Sequence, residues 1–167
     1  MQTASRAHQP AARNRTASTA SADPSALSYR NLPMLLLQAR ERMMVRFRPI
    51  LGAHGLTEQQ WRIIRALNER GPLESRHIAD LCSLSTPSLA GILGRMHEAG
   101  LISKSQPRHD RRRLRIALTA RSTRLIGKIS SELQATYVEI ERTVGTATLA
   151  DAYRAVDALL AGLKSRG

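Results

Sequence analysis

The run Pro107-Arg108-His109-Asp110-Arg111-Arg112-Arg113 sets four guanidinium groups and one carboxylate in a stretch without a large apolar side chain. Guanidinium is permanently charged and its planar fork matches phosphate oxygens, so this spacing suits a polyanion. With Lys104 and Arg115 included, residues 103–115 carry a net +5. Thr86 and Ser88 place two short hydroxyls at the start of a helical stretch, with Arg95 two turns on. Arg40 interrupts an apolar stripe, and a guanidinium drawn into apolar surroundings requires a carboxylate. That carboxylate could belong to a ligand, with Phe47 and Trp61 as aromatic walls. It could equally be a structural glutamate or a helix carboxyl end. His54 and His77 read as ordinary polar positions.

Other chemistries find no residues. There is no glycine-rich phosphate loop, no metal-spaced histidine cluster and no serine or cysteine nucleophile motif. His97-Glu98 lacks the second histidine of a zinc protease helix. Catalysis is therefore not expected. The single cysteine, Cys82, excludes an internal disulfide and a cysteine-rich zinc site. It reads as a buried structural thiol, with a redox switch as the alternative.

The elements that position these residues follow from periodicity. The chain has 167 residues, 42% of them hydrophobic but only 3% aromatic, so its core is aliphatic and suits helix-on-helix packing. Its net charge of +13 points to nucleic acid or an anionic surface. No apolar run is long enough to span a membrane, and the start lacks a signal peptide's apolar core, which places the chain in the cytoplasm as an expectation. Residues 1–30 hold four arginines against Asp23 and few large apolar groups, which reads as a disordered basic tail.

From Pro33 to about His54, Leu36, Met43, Phe47 and Leu51 recur at helical spacing. Thr57, with Gln60 three residues on, caps a second helix that Gly71-Pro72 ends. A short helix over 74–82, a tight connection at Ser83-Leu84, and a helix opened by Ser85 and Pro87 and stopped at Gly100 form a helix-turn-helix pattern. Leu101-Ile102 and the alternating Leu114, Ile116 and Leu118 make a hairpin whose tip is the basic run. Thr119 opens a long helix, and a last helix carries Leu149, Tyr153, Val156, Leu160 and Leu163. Neither long helix has an obvious home in so small a module. A second copy of the chain would cover both.

The expected fold is mainly α with a small β-hairpin wing: a winged helix-turn-helix lobe plus a helical dimerisation region. Residues 31–56 form the first dimerisation helix and 57–118 the DNA-binding lobe. Within that lobe the recognition helix spans about 85–99 and the wing about 101–118, leaving 119–167 as the C-terminal dimerisation helices.

Asp110-Arg111-Arg112-Arg113 followed by Leu118-Thr119, behind Gly100-Leu101-Ile102, resembles the wing and fifth-helix start of the MarR family of transcriptional regulators. The stretches Leu32 to Leu37 and Gly55 to Arg62 are similar to the branch that represses homoprotocatechuate and related aromatic-acid degradation operons. Two positions depart from the family pattern. Ser122 stands where glycine is usual, and Gly91 where many members carry a polar or basic residue. The resemblance implies that Arg112 enters a minor groove, that Asp110 braces the wing, and that Arg108, Arg111 and Arg113 meet phosphates or brace. Thr86 and Ser88 then face base edges or simply cap the helix, and Arg95 meets phosphate. It also implies a homodimer on a pseudo-palindromic duplex and a small aromatic carboxylate effector, phenolic or pyridine-based, in a pocket between the dimer helices and the DNA-binding lobe, for which Arg40, Phe47 and Trp61 are the sequence's own candidates. The alternatives are a redox-responsive regulator through Cys82 and a non-specific architectural DNA-binding protein.

Overall fold

In a computed structural model, which describes residues 29–106 and 114–164, helix formation begins at a side-chain cap. Asn31 accepts from the Met34 N–H at 3.1 Å, and Pro33 occupies the first turn of α1 (Leu32–Ala53). Pro49 removes one backbone donor but does not end the helix, which runs a further turn. Helix α2 (Glu58–Arg70) opens on the capping box foreseen at Thr57: Gln60 N–H to the Thr57 hydroxyl at 3.2 Å, Thr57 N–H to Gln60 Oε1 at 2.9 Å. It closes at Gly71, whose φ of 74° is a left-handed value glycine adopts without a Cβ clash.

A short strand β1 (Leu73–Glu74) follows, which periodicity does not reveal because two residues carry no alternation. Helix α3 (Ser75–Cys82) ends at Ser83 in the left-handed region, φ 50°, and the Leu84 N–H closes the turn onto the Ala79 carbonyl at 3.0 Å. Helix α4 (Thr86–Glu98) stops at Gly100, and β2 (Ile102–Ser105) pairs antiparallel with β3 (Arg115–Leu118). The sheet order is β1-β3-β2, with Ile116 facing Leu73 on one side and Lys104 on the other. Helices α5 (Ala120–Val144) and α6 (Thr146–Lys164) complete the described chain.

The core is aliphatic, as composition requires. Ile63, Ile64, Ile78, Met96, Ile102, Ile116 and Ile129 have lost essentially all solvent contact. Contrary to the sequence reading, α5 has a home within the chain. It packs along α1 and buries Ile129, Leu133, Thr136 and Ile140. The sequence shows an apolar stripe but not which other stripe it meets. Helix α6 keeps the predicted orphan character: none of its described side chains is buried, and Leu163 is 74% exposed. The N-terminal turns of α1 are equally bare, with Leu32, Leu36 and Leu37 in solvent. No described helix is long and apolar enough to cross a membrane.

Candidate functional site

Helix α4 has two faces. Leu89, Ile92, Leu93 and Met96 are buried and fix its roll, which leaves Thr86, Ser88, Ala90, Gly91 and Arg95 outward. Ser85 holds the N-cap position in extended backbone, yet its hydroxyl makes no cap bond to the helix. It donates instead to the Ser88 hydroxyl at 2.9 Å, so the first N–H groups of α4 have no side-chain acceptor. An outward helix start of this kind is suited to phosphate oxygens.

The turn before α4 is held from behind. The Arg62 guanidinium of α2 donates through Nη1 to the Cys82 carbonyl at 2.7 Å, the last residue of α3. Its Nε is buried with no partner, so Arg62 is committed to the protein interior. Cys82 itself is buried, and burial pushes its thiol above the ordinary 9.0, partly offset by the Arg62 charge. A thiol kept protonated lacks the thiolate character on which oxidant sensing depends.

Between α3, the exposed face of α4 and the wing root lies a groove of about 510 Å³. Arg76, Thr86, Ala90 and Lys104 line it, with Leu114 at the wing side. Arg76 and Lys104 thus join the Thr86 hydroxyl on one surface, with the Asp80 carboxylate also lining the groove. Sequence reasoning counted Lys104 in the basic segment but assigned it no role, and Arg76 looked like any exposed cation on a short helix. Arg115, on β3, donates to the Pro72 carbonyl at 3.2 Å and anchors the wing to the chain before β1. Arg108, Asp110, Arg111, Arg112 and Arg113 lie outside the described residues.

Arg40 meets structural carboxylates in this chain: it pairs with Glu58 of α2 and with Glu41. Arg48 bonds the same two acids, at 2.6 Å to Glu41 and 3.2 Å to Glu58, so two cations and two anions balance across the α1–α2 contact. The Arg48 hydrogen bond is the main reason the Glu41 carboxyl titrates below its ordinary value. Phe47 is buried, its ring centroid 4.9 Å from that of Tyr137 on α5 at an interplanar angle of 51°. Trp61 is partly buried against the core, one turn before Arg65.

Beside these residues a groove of about 580 Å³ runs between α2, α5 and α6, lined by Arg65, Gln134, Tyr137, Glu141 and Tyr153. Burial raises the Tyr137 phenol and the nearby Arg65 charge partly restores it. Arg65 has an exposed partner on its own helix, Glu69. An aromatic wall beside a cation was sought from sequence around Arg40. The structure offers a second such pairing at Arg65 and Tyr137, far apart in sequence and joined only by the fold. His77 is exposed, and His54 contacts Glu132 Oε1 through Nε2 at 3.0 Å. Among the described residues no group of histidine, cysteine and acidic side chains could hold a metal.

Comparison with known proteins places these features in context. A family model described as MarR family matches residues 54–113. The chain is 39% identical over 122 residues to the HTH-type transcriptional regulator FarR of Neisseria gonorrhoeae, spanning 73% of this chain and 84% of that protein. It is 41% identical over 111 residues to the homoprotocatechuate degradative operon repressor of Escherichia coli, spanning 66% and 75% respectively. Its fold matches the crystal structure of NadR in complex with 4-hydroxyphenylacetate with a TM-score of 0.74 and 36% identity. That match covers 87% of this chain and 100% of NadR.

Proposed function

The chain belongs to the MarR family of winged-helix, DNA-binding transcriptional regulators and is related to the repressors of aromatic-acid operons, and from that premise we propose that it is a homodimeric repressor released from its operator by a small aromatic carboxylate. MarR family regulators are non-catalytic. The observation that carries the proposal is the 41% identity to a homoprotocatechuate operon repressor over three-quarters of that protein's length. The complex of NadR with 4-hydroxyphenylacetate supports the effector class.

In this reading α4 enters a major groove by its N-terminal end. Thr86 and Ser88 face base edges, and Arg95 meets phosphate. Ala90 and Gly91 offer no polar group there, so direct readout is sparse and groove shape carries much of the specificity. Arg112 enters the adjacent minor groove while Asp110 braces the wing and Arg108, Arg111 and Arg113 serve phosphates or bracing. The bare apolar surfaces of α6 and the start of α1 support a second copy of the chain as their cover. Two-fold symmetry then demands a pseudo-palindromic operator.

The effector reading centres on the groove between α2, α5 and α6. Arg65 receives the carboxylate in exchange for its surface partner Glu69, a pair of the kind that contributes little. Tyr137 flanks the ring, with Phe47 behind it, and Trp61 stands one helical turn before Arg65 on α2. Arg40, already matched by Glu58 and Glu41, holds α1 onto α2. A ligand seated here shifts the protein away from its operator-binding form only by its differential affinity for the two forms.

Fluorescence anisotropy with a duplex from the gene's upstream region and a scrambled duplex, at two salt concentrations, tests the proposal. A panel of 4-hydroxyphenylacetate, benzoate, cinnamate and pyridine carboxylates is then added. Selective binding weakened by one acid is the expected result. Equal binding to both duplexes favours the architectural alternative, and selective binding that no acid alters removes the effector claim.

A further inference from the structure

A third cleft belongs neither to the α4 surface nor to the groove at Tyr137. It is about 340 Å³ in volume and lies where the α1–α2 connection, the C-terminal end of α4 and the first turns of α5 meet. Arg121, Arg124 and Lys128 line one side, His54 another, and Leu101 and Leu125 give it an apolar floor. No carboxylate lines it. The acid bonded to His54, Glu132, sits one turn beyond Lys128 on α5.

Several features of these cations point to a missing counterion. Arg121 and Arg124 are three residues apart on one helix and Lys128 four further on, a spacing that makes like charges neighbours and weakens the helix. Among the described residues none of the three side chains has an ion pair or hydrogen bond. Other exposed arginines, Arg70, Arg76 and Arg95 among them, also have no acid among the described residues; what distinguishes these three cations is that they converge on one cleft. The first turn of α5 also contains no acidic residue to offset them.

We propose that this cleft binds a compact phosphate-bearing metabolite, held by Arg121, Arg124 and Lys128. Two guanidinium forks and an ammonium around a pocket of ligand size suit a group with several phosphate oxygens, and the leucine floor accepts a small organic body. DNA phosphate is the other source of the same chemistry, and position argues against it. The cleft touches Ala99 and Leu101, beyond the far end of α4 from Thr86, roughly 20 Å away at the rise of an α-helix. Bound there, the ligand would contact the exit of α4 and the start of α5 together, which makes it a second input separate from the aromatic acid.

The test is calorimetric titration of the full chain with inorganic pyrophosphate at about 150 mM salt, where surface charges are screened beyond a Debye length. Wild type is expected to bind one pyrophosphate per chain saturably. The Arg124→Gln/Lys128→Gln variant, checked for an unchanged circular dichroism spectrum and melt, is expected to bind at least tenfold more weakly. Arg124→Lys, which keeps the charge, retains binding. Absence of saturable binding, or a smaller loss in the double variant, overturns the proposal. So does a double variant that binds every duplex more weakly with a salt slope reduced by about 2, since the cations then serve DNA. No operator or aromatic acid is needed, so the outcome is independent of the proposed repressor function.

Discussion

Ser122, with no solvent exposure, donates its hydroxyl to the Leu101 carbonyl and so ties the third residue after α4 to the opening of α5. The same carbonyl also accepts the Thr119 backbone N–H at 3.2 Å. Three segments that sequence reading treated separately (the end of α4, the wing and α5) therefore converge on one oxygen.

Ser122→Ala removes one of the bonds to Leu101 and leaves the carbonyl its backbone donor. The expected loss is about 1 kcal/mol, the net worth of an ordinary buried hydrogen bond whose acceptor remains satisfied. Urea midpoints at fixed protein concentration measure it, the concentration being held because dimerisation adds to apparent stability. A loss above about 3 kcal/mol would mean that the carbonyl is left unpaired after all.

Two N-caps with similar sequence appearance should behave differently. Thr57 makes a complete capping box, so Thr57→Ala is expected to cost about 1 kcal/mol. Ser85 makes no bond to the α4 backbone, so Ser85→Ala should cost only a few tenths of a kcal/mol. Paired chemical denaturation curves decide it, and equal losses contradict the assignment. Ser85→Ala also frees the Ser88 hydroxyl, so operator affinity is the second readout.

Alkaline pH should weaken the fold in two stages. Burial raises the Cys82 thiol above 9.0 and the Tyr137 phenol above 10.0, so the folded state holds both protons more tightly than the unfolded chain does. Stability from each group is complete below its unfolded value and is lost as pH climbs through the folded one. Denaturation midpoints between about pH 8 and pH 11 are expected to fall, with Cys82→Ser removing the earlier part and Tyr137→Phe the later. A flat profile in wild type would show that neither group holds its proton more tightly in the folded state.

The wing carries a prediction resting on sequence. Arg112→Ala is expected to weaken operator binding by about 1–3 kcal/mol with a salt slope lower by about 1. Anisotropy at several salt concentrations reads both quantities. An unchanged affinity with unchanged slope would place Arg112 away from the duplex.

The two cations near the aromatic residues separate by function. Arg65→Ala is expected to abolish effector-induced release while operator affinity stays within about threefold, under 1 kcal/mol. Arg40→Ala should keep effector release but lower stability by about 1 kcal/mol or less, because its pairs with Glu41 and Glu58 are partly exposed and screened. The reverse pattern would return the carboxylate to Arg40.

The sequence by itself determined the local elements and their chemistry. Capping residues, glycine stops and apolar periodicity act over a few residues, so Thr57, Gly71, Ser83-Leu84, Gly100 and Thr119 marked boundaries that the fold respects. The outward face of α4 followed from the same periodicity, since burying Leu89, Leu93 and Met96 leaves Thr86 and Ser88 exposed. Tertiary structure alone decided the pairings between distant segments. It matched Arg40 with Glu58, joined Phe47 to Tyr137, gave α5 its place on α1, added β1 beside β3, and gathered Arg121, Arg124 and Lys128 around the end of α4. Periodicity states which face of an element must be covered, because that depends only on side-chain spacing. It does not state which surface covers it, because that choice depends on the simultaneous packing of every element.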